Sequence, residues 1–383
     1  MKKVFYLFTL FLFFMAMSAS GKGAGLTEVR LKVPERFKTG VFSTERALMA
    51  LPGMKVSVFA AGLEGPRHMA VGPDGTLYVS LPSEGTVVAL PDRNRDGEAD
   101  EAVVFASKLN RPHGLAFRGT ELIVAEVDKV ISLKDTNNDL KSDSRETLTK
   151  DIPGSGGHWT KSVAVSPDKT VYISAGSSCN ACVEEDKRRA AILKLTNKGV
   201  EVFARGLRNS VGLTFDPLTG GLWAADNGRD MLGDDIPPEE LNRIVEGGDY
   251  GWPYCYGDKV PDPELGSKKR CGGTIAPEVE MQAHSAPLGI AFGYGLKFPD
   301  EYRDVLYIAF HGSWNRSVPT GYKLVAVPFS NGRPSGKPFD VVTGWLLKDG
   351  TAWGRPVEPV VGKDGALYLT DDKAGAIYRI AYE

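Results

Sequence analysis

One small unit recurs along this chain, and that repetition restricts the available folds more than any other feature. Each copy is a short polar lead, an apolar strand, a Pro/Asp/Gly-type hairpin turn, a second apolar strand and then a third. The copies read RHMAVGPDGTLYVS from Arg67, RPHGLAFRGTELIVAE from Arg111, HWTKSVAVSPDKTVYISA from His158, RNSVGLTFDPLTGGLWAAD from Arg208, APLGIAFGYGLKFPDEYRDVLYIAF from Ala286 and RPVEPVVGKDGALYLTD from Arg355. Six similar sheets close most economically into a ring. The expected fold is therefore all-β, a six-bladed β-propeller of four-stranded antiparallel blades. A β-sandwich has no need of six similar units. The segments EAVVFAS, GVEVFAR and FDVVTGW between copies suit outer strands, and KVSVFA at 55–60, which precedes the first copy, fits as the outer strand of the last blade. Helical periodicity is nearly absent; the stretch 237–244 is the one place with room for a short helical turn.

Composition agrees with this pattern. The 44 glycines and 24 prolines are scattered, as many short strands joined by tight turns require. A net charge of −2 offers no electrostatic case for a nucleic-acid partner. Residues 1–20 read as a signal peptide: Met1-Lys2-Lys3, an apolar run at 4–17 too short to span a bilayer comfortably, and the small residues Ser18, Ala19, Ser20 and Gly21. No cysteine follows for a lipid anchor. The expected mature protein is a single domain, 21–383, with no membrane span, periplasmic in a bacterium or secreted. Four cysteines suit an oxidising compartment. Cys255 and Cys271 bracket a polar loop of 15 residues, a candidate cover for the mouth, and are expected to close it as a disulfide. Cys179 and Cys182, in CNAC, are expected to form a second, tight one. Val183 stands where haem attachment needs histidine, and no further cysteine pair has zinc-site spacing.

In a propeller the leads into the innermost strands converge on one face. His68, His113 and His158 recur every 45 residues at equivalent leads, His284 lies just before the fifth copy and His311 just after its second strand. All five are expected near one mouth. The leads also carry Arg67, Arg111, Arg208, Asn209 and Arg355. Guanidinium groups bind carboxylates and phosphates in a bidentate fork, so a polyanionic small ligand is implied. The plainer alternative is polar leads that hydrogen-bond neighbouring turns. Two acidic turns carry the alternating oxygens of a calcium loop: Asp92, Asn94, Asp96 and Asp100, and Asp135, Asn137, Asp139, Asp143 and Glu146. The first lacks glutamate at its twelfth position and the second lacks the turn glycine. Both are expected as solvated turns of outer hairpins, where any metal would be structural.

The fourth copy and its continuation, ARGLRNSVGLTFDPLTGGLWAADNGRDMLGDDIPPEELNRIVEGGDYGWPYCYG, are the most specific stretch. Together with GHWTKSVAVSPDKTVYISAGSSCNAC, FHGSWNR and WGRPVEPVVGKDGALYLTDD, it resembles the glucose/sorbosone dehydrogenase family in its sorbosone and pyranose dehydrogenase-like branch. Those soluble propellers use pyrroloquinoline quinone and calcium to oxidise sugars. The resemblance covers nearly all of the mature chain. It implies His158 as catalytic base, Arg208 and Asn209 as quinone contacts with Arg208 also stabilising developing charge, and Arg355 as a clamp on a quinone carboxylate. It further implies a calcium ion, Ca2+, held partly by the backbone carbonyls of Gly228 and Arg229. Three departures stand out. Gly157 occupies the place of an acidic residue beside the base, the family's cofactor lysine has no clear match, and a single arginine stands where a pair is common. His311 and Arg316 are the substitutes for that lysine.

The expected activity is oxidation of an aldose or related sugar at its anomeric carbon, with hydride transfer to the quinone and an unidentified periplasmic electron acceptor. A calcium-dependent lactonase-type propeller is the alternative enzyme, although its metal wants converging carboxylate and Asn side chains where this mouth is cationic. A non-catalytic periplasmic binding propeller is the other. Trp159, Trp314 and Trp353 are available to stack on sugar rings or simply to pack.

Overall fold

The structure, a computed structural model, describes residues 25–154 and 156–383; the expected signal peptide lies outside them. Tight inner hairpins set the architecture. In Pro73-Asp74-Gly75 and Lys363-Asp364-Gly365 the glycines take φ of +100° and +84°, a region other residues avoid. The aspartates accept the N–H of Thr76 at 3.0 Å and of Ala366 at 3.1 Å, closing each turn. Apolar runs on both sides then pair into antiparallel meanders.

Five such meanders are blades of the expected form. The first comprises Met69–Val71, Leu77–Leu81, Thr86–Leu90 and Val103–Ala106. The second comprises Leu115–Arg118, Glu121–Ala125, Val130–Lys134 and Ser144–Thr149. The third, Lys161–Val165, Val171–Ala175, Ala191–Thr196 and Gly199–Arg205, also carries the two-residue parallel strand Gly248–Asp249. The fourth comprises Ser210–Phe215, Leu222–Asp226, Glu239–Ile244 and Val279–Met281. The last comprises Pro356–Val361, Leu367–Asp371, Ala376–Tyr382 and, from the other end of the domain, Met54–Ala61.

The expectation of six four-stranded blades is corrected to five. Strands from the fifth copy, Pro287–Phe292, Val305–Phe310, Lys323–Ser330 and Phe339–Thr343, sit in a seven-stranded sheet with Arg333–Pro334, Ala47–Ala50 and Thr27–Arg30. The added N-terminal strands cover what would be an open outer edge, which a propeller must otherwise protect. A second correction concerns 237–244, where the structure has the strand Glu239–Ile244 instead of a helical turn. Strands on both sides offer it complete ladders, whereas one isolated helical turn leaves most of its amides unpaired.

The innermost strands neighbour one another in chain order, from Met69–Val71 round to Pro356–Val361, which lies beside Met69–Val71 again. Apolar layers fill the gaps between consecutive sheets. Tyr78 of the first blade, for example, meets Phe105 of its own outer strand and Phe117 of the second blade edge-on. Tyr172 repeats the motif with Phe203 and Phe215. Ring closure follows the sequence expectation: Met54–Ala61 pairs antiparallel with Ala376–Tyr382, and Val58 and Tyr378, opposite each other, are fully buried. Both expected disulfides are present, with Cα separations of 6.2 Å for Cys179–Cys182 and 5.7 Å for Cys255–Cys271. Among the described residues no helix is long and apolar enough to cross a membrane.

Candidate active site

Buried acids at the ends of second strands hold the mouth in place. Asp226 accepts the backbone N–H groups of Arg208 (2.9 Å) and Asn209 (2.8 Å) and the Ser210 hydroxyl (2.8 Å). Asp371 accepts the N–H of Arg355 at 2.7 Å, and Glu126 takes that of Asn110. Each lead is thereby locked to its own blade. Burial pushes Asp226 and Asp371 up to about 6, while these donors favour the charged form.

His158 stands at the start of the third inner strand. Its Nδ1 lies 3.0 Å from the Ser177 carbonyl and 2.9 Å from the Ser177 hydroxyl. A carbonyl oxygen only accepts, so Nδ1 carries the proton and Nε2 keeps its lone pair. Nε2 has no partner among the described residues. Burial, and then the charge of Arg208, lowers the imidazole to about 4, so it is neutral at pH 7. Gly176 makes this arrangement possible: a Cβ there would lie 2.6 Å from His158 Cβ and 2.7 Å from Asn209 Oδ1. His158 and Asn209 thus meet over a bare backbone.

Arg208 is nearly buried and held on three sides. Its Nε donates to the Asn180 carbonyl (2.9 Å), Nη2 to Asn180 Oδ1 (2.8 Å) and Asp230 Oδ2 (3.0 Å), and Nη1 to the Asn227 carbonyl (3.3 Å). Asp230 also accepts from Asn315 at 3.0 Å. The loop after the fifth copy's second strand therefore reaches across to the fourth blade.

On the other side of the mouth, Arg355 donates Nε to the His311 carbonyl (3.1 Å) and Nη2 to the Gly312 carbonyl (3.0 Å). Its Nη1 has no acceptor among the described residues. His311 Nε2 is 3.0 Å from both oxygens of Asp372, which also takes Arg67 Nη1 at 2.7 Å. Burial lowers His311 to about 4 against the pull of Asp372, while His311 and Arg67 hold the Asp372 carboxyl well below the carboxylate range despite its burial.

Other expected residues sit differently. Arg316 turns away, donating to the carbonyls of Asp234, Ala283 and Val318 and to Asp235, so it fastens loops together. Arg229 is paired with Asp262 (2.7 Å) and Glu264 (3.0 Å) of the disulfide-closed insertion. The carbonyls of Gly228 and Arg229 receive no hydrogen bond from the described residues, and the Gly228 N–H is held by Glu239 at 2.8 Å. The buried rings of His68 and His113 meet at a tilt of 45° with centroids 4.3 Å apart, and His284 bonds the Gly233 carbonyl at 2.8 Å. Trp353 is core, Trp314 is exposed, and Trp159 lies between Arg111 and His113. Both acidic turns join third to outer strands, away from the mouth, and their aspartates cap backbone amides of their own loops.

This donor set suits a small polycarboxylate. Arg355 presents a free guanidinium edge, Arg67 Nε is buried without a partner, and Arg208 is fixed beside a neutral imidazole. Two unclaimed carbonyls on one short segment suit a hard cation. Ser177, Asn180, Asp230, Asn315, Asp372 and the buried Lys161 are the residues that reading the sequence missed. One signal was available: the acids closing LIVAE, LWAAD and LYLTD recur at one repeat position, where they anchor the leads.

A propeller mouth of this composition suits a small anionic ligand. The chain is a member of the TrAA12-like family, whose model matches residues 48–383. It is 25% identical to the pyrroloquinoline quinone-dependent pyranose dehydrogenase of Coprinopsis cinerea, over 86% of this chain and 54% of that one. It is 26% identical to the pyrroloquinoline quinone-dependent sugar dehydrogenase of Hypocrea jecorina, over 88% of this chain and 89% of the relative. The calcium structure of the Trichoderma reesei family AA12 carbohydrate-active enzyme superposes with a TM-score of 0.77 at 24% identity, covering 88% of this chain and 97% of that one.

Proposed function

We propose that this protein is a pyrroloquinoline quinone-dependent sugar dehydrogenase that oxidises an aldose or related sugar at its anomeric carbon. The observation that carries the reading is His158, neutral, with Nδ1 tied to Ser177 and Nε2 open beside Arg208 and Asn209. A hydroxyl proton on the sugar needs a neutral base within hydrogen-bond reach, and Nε2 is that base. Arg208 and Asn209 would hold the cofactor together with Arg355, with Arg208 also offsetting negative charge that develops during reaction. When bound, the quinone supplies the hydride acceptor and Ca2+ the electrophilic assistance. Gly228 and Arg229 offer that ion their carbonyls. His311, whose Nε2–H goes to Asp372, stands in for the family's lysine and, being neutral, would face the cofactor with an accepting Nδ1, while Arg316 supports the neighbouring loop. The seven-stranded sheet counts in this reading as the sixth blade.

The pairing of all four cysteines supports export, to the periplasm in a bacterium, where a separate electron acceptor would reoxidise the cofactor. The test is reconstitution of apoprotein with pyrroloquinoline quinone and Ca2+, following dye reduction across a panel of aldoses. Oxidation that disappears in His158→Ala, with quinone binding retained, supports the proposal. Full turnover by that variant, or no oxidation by the wild type, would sink it.

A further inference from the structure

The loop leaving the second strand of the third blade touches both halves of the proposed chemistry. Ser177, at its start, is fully buried and receives His158 Nδ1 on its carbonyl and hydroxyl oxygens. The Ser177 hydroxyl is itself oriented, because it donates to the Cys179 carbonyl at 2.7 Å and so turns its lone pairs to the imidazole. Three residues on, Asn180 accepts from Arg208 on two oxygens, its backbone carbonyl and Oδ1. Asn180 Oδ1 also accepts the Asp230 N–H at 2.8 Å, and its Nδ2 donates to the Asp230 carbonyl at 3.1 Å. That pair of bonds fixes the short segment that carries the Gly228 and Arg229 carbonyls. Between these contacts runs the Cys179–Cys182 bridge, and Glu184 accepts from Ser178 just beyond it.

We propose that the Cys179–Cys182 disulfide loop is the positioning element of the site: through Ser177 it selects the tautomer of His158, and through Asn180 it aims Arg208 and the 228–230 backbone. The loop touches no reacting atom. It acts because a four-residue cross-linked turn holds two hydrogen-bonding groups at a spacing that an open polar loop would sample among many others. Asn180 adds two neutral acceptors beside the anionic partner Asp230, so three fixed oxygens aim the guanidinium. The catalytic meaning of the loop rests on the function proposed above; its structural content does not.

The experiment is designed to separate the two. In apoprotein labelled with 15N-histidine, wild type is expected to show His158 as a single tautomer with Nε2 unprotonated, assigned by comparison with His158→Gln. The double variant Cys179→Ser/Cys182→Ser is expected to populate both tautomers and to bind pyrroloquinoline quinone at least tenfold more weakly by fluorescence titration. Asn180→Ala, which keeps the bridge, is expected to lose affinity to a similar degree while leaving the His158 tautomer as in wild type. A single wild-type tautomer in the double variant, or unchanged affinity in Asn180→Ala, overturns the proposal. If wild-type apoprotein binds no quinone at all, the functional reading fails, and the histidine spectra still decide whether the loop sets the tautomer.

Discussion

A base that is neutral through burial keeps working in acid, and this gives the site its most direct test. The His158 imidazole is lowered from 6.5 to about 4, first by loss of water and second by Arg208. At pH 5.5 an ordinary imidazole is about 9% neutral, whereas one titrating near 4 is about 97% neutral. The proton-accepting form is thus roughly tenfold more abundant than solution chemistry would give. kcat/KM for sugar oxidation should therefore hold nearly level from pH 7.5 to 5.5 and fall only toward 4. The apoprotein supplies an independent measurement: the C2 proton of His158, assigned with His158→Gln, should titrate near 4 by NMR. Arg208→Gln should raise that value while leaving it below 6.5, because desolvation is the larger cause. The unfolded chain binds this proton from about 6.5 downward and the folded one does not, so the contribution of His158 to stability is complete above 6.5 and is lost as pH falls toward 4. An acid limb in kcat/KM and an NMR midpoint both centred near 6.5 would refute the account of a desolvated base.

Gly176→Ala should lower sugar oxidation by about a hundredfold and unfolding free energy by about 1–3 kcal/mol, since the new Cβ would strike His158 Cβ at 2.6 Å and Asn209 Oδ1 at 2.7 Å just past the end of a strand. Activity within threefold of wild type would show that the contact is not what sets the base. Cys255→Ser/Cys271→Ser should lower unfolding free energy by about 3 kcal/mol in urea titrations, the loop-closure entropy of a cross-link of this length. A loss under about 1 kcal/mol would mean that Asp262 and Glu264, gripping Arg229, already hold the insertion without the bridge.

What the sequence makes legible is what the repeat enforces. Leads, turns and inner strands recur at similar spacing, so His158, Arg208, Asn209 and Arg355 can be placed at one mouth from position within the repeat alone. Even KVSVFA finds its partner, because a ring lacking one outer strand leaves a single vacancy for it. The expectation weakens wherever a contact crosses between blades through an insertion. Arg316 looks like a cation at the mouth when read along FHGSWNR, yet its neighbour Asn315 is the residue that joins the Arg208 network, and Arg316 is claimed by carbonyls of the 234–235 and 283 loops. One residue of register decides this, and no periodicity governs a loop. Asn180 is hidden for a related reason: CNAC draws the eye to its cysteines, while the work of the bridge falls to the asparagine it encloses. The acids that anchor the leads are the opposite case. Glu126, Asp226 and Asp371 recur at one position, and a buried acid closing an apolar strand needs amide partners, which the lead of the same blade provides. Reading the ends of the second strands beside the starts of the first is therefore what turns a list of cations into a geometry.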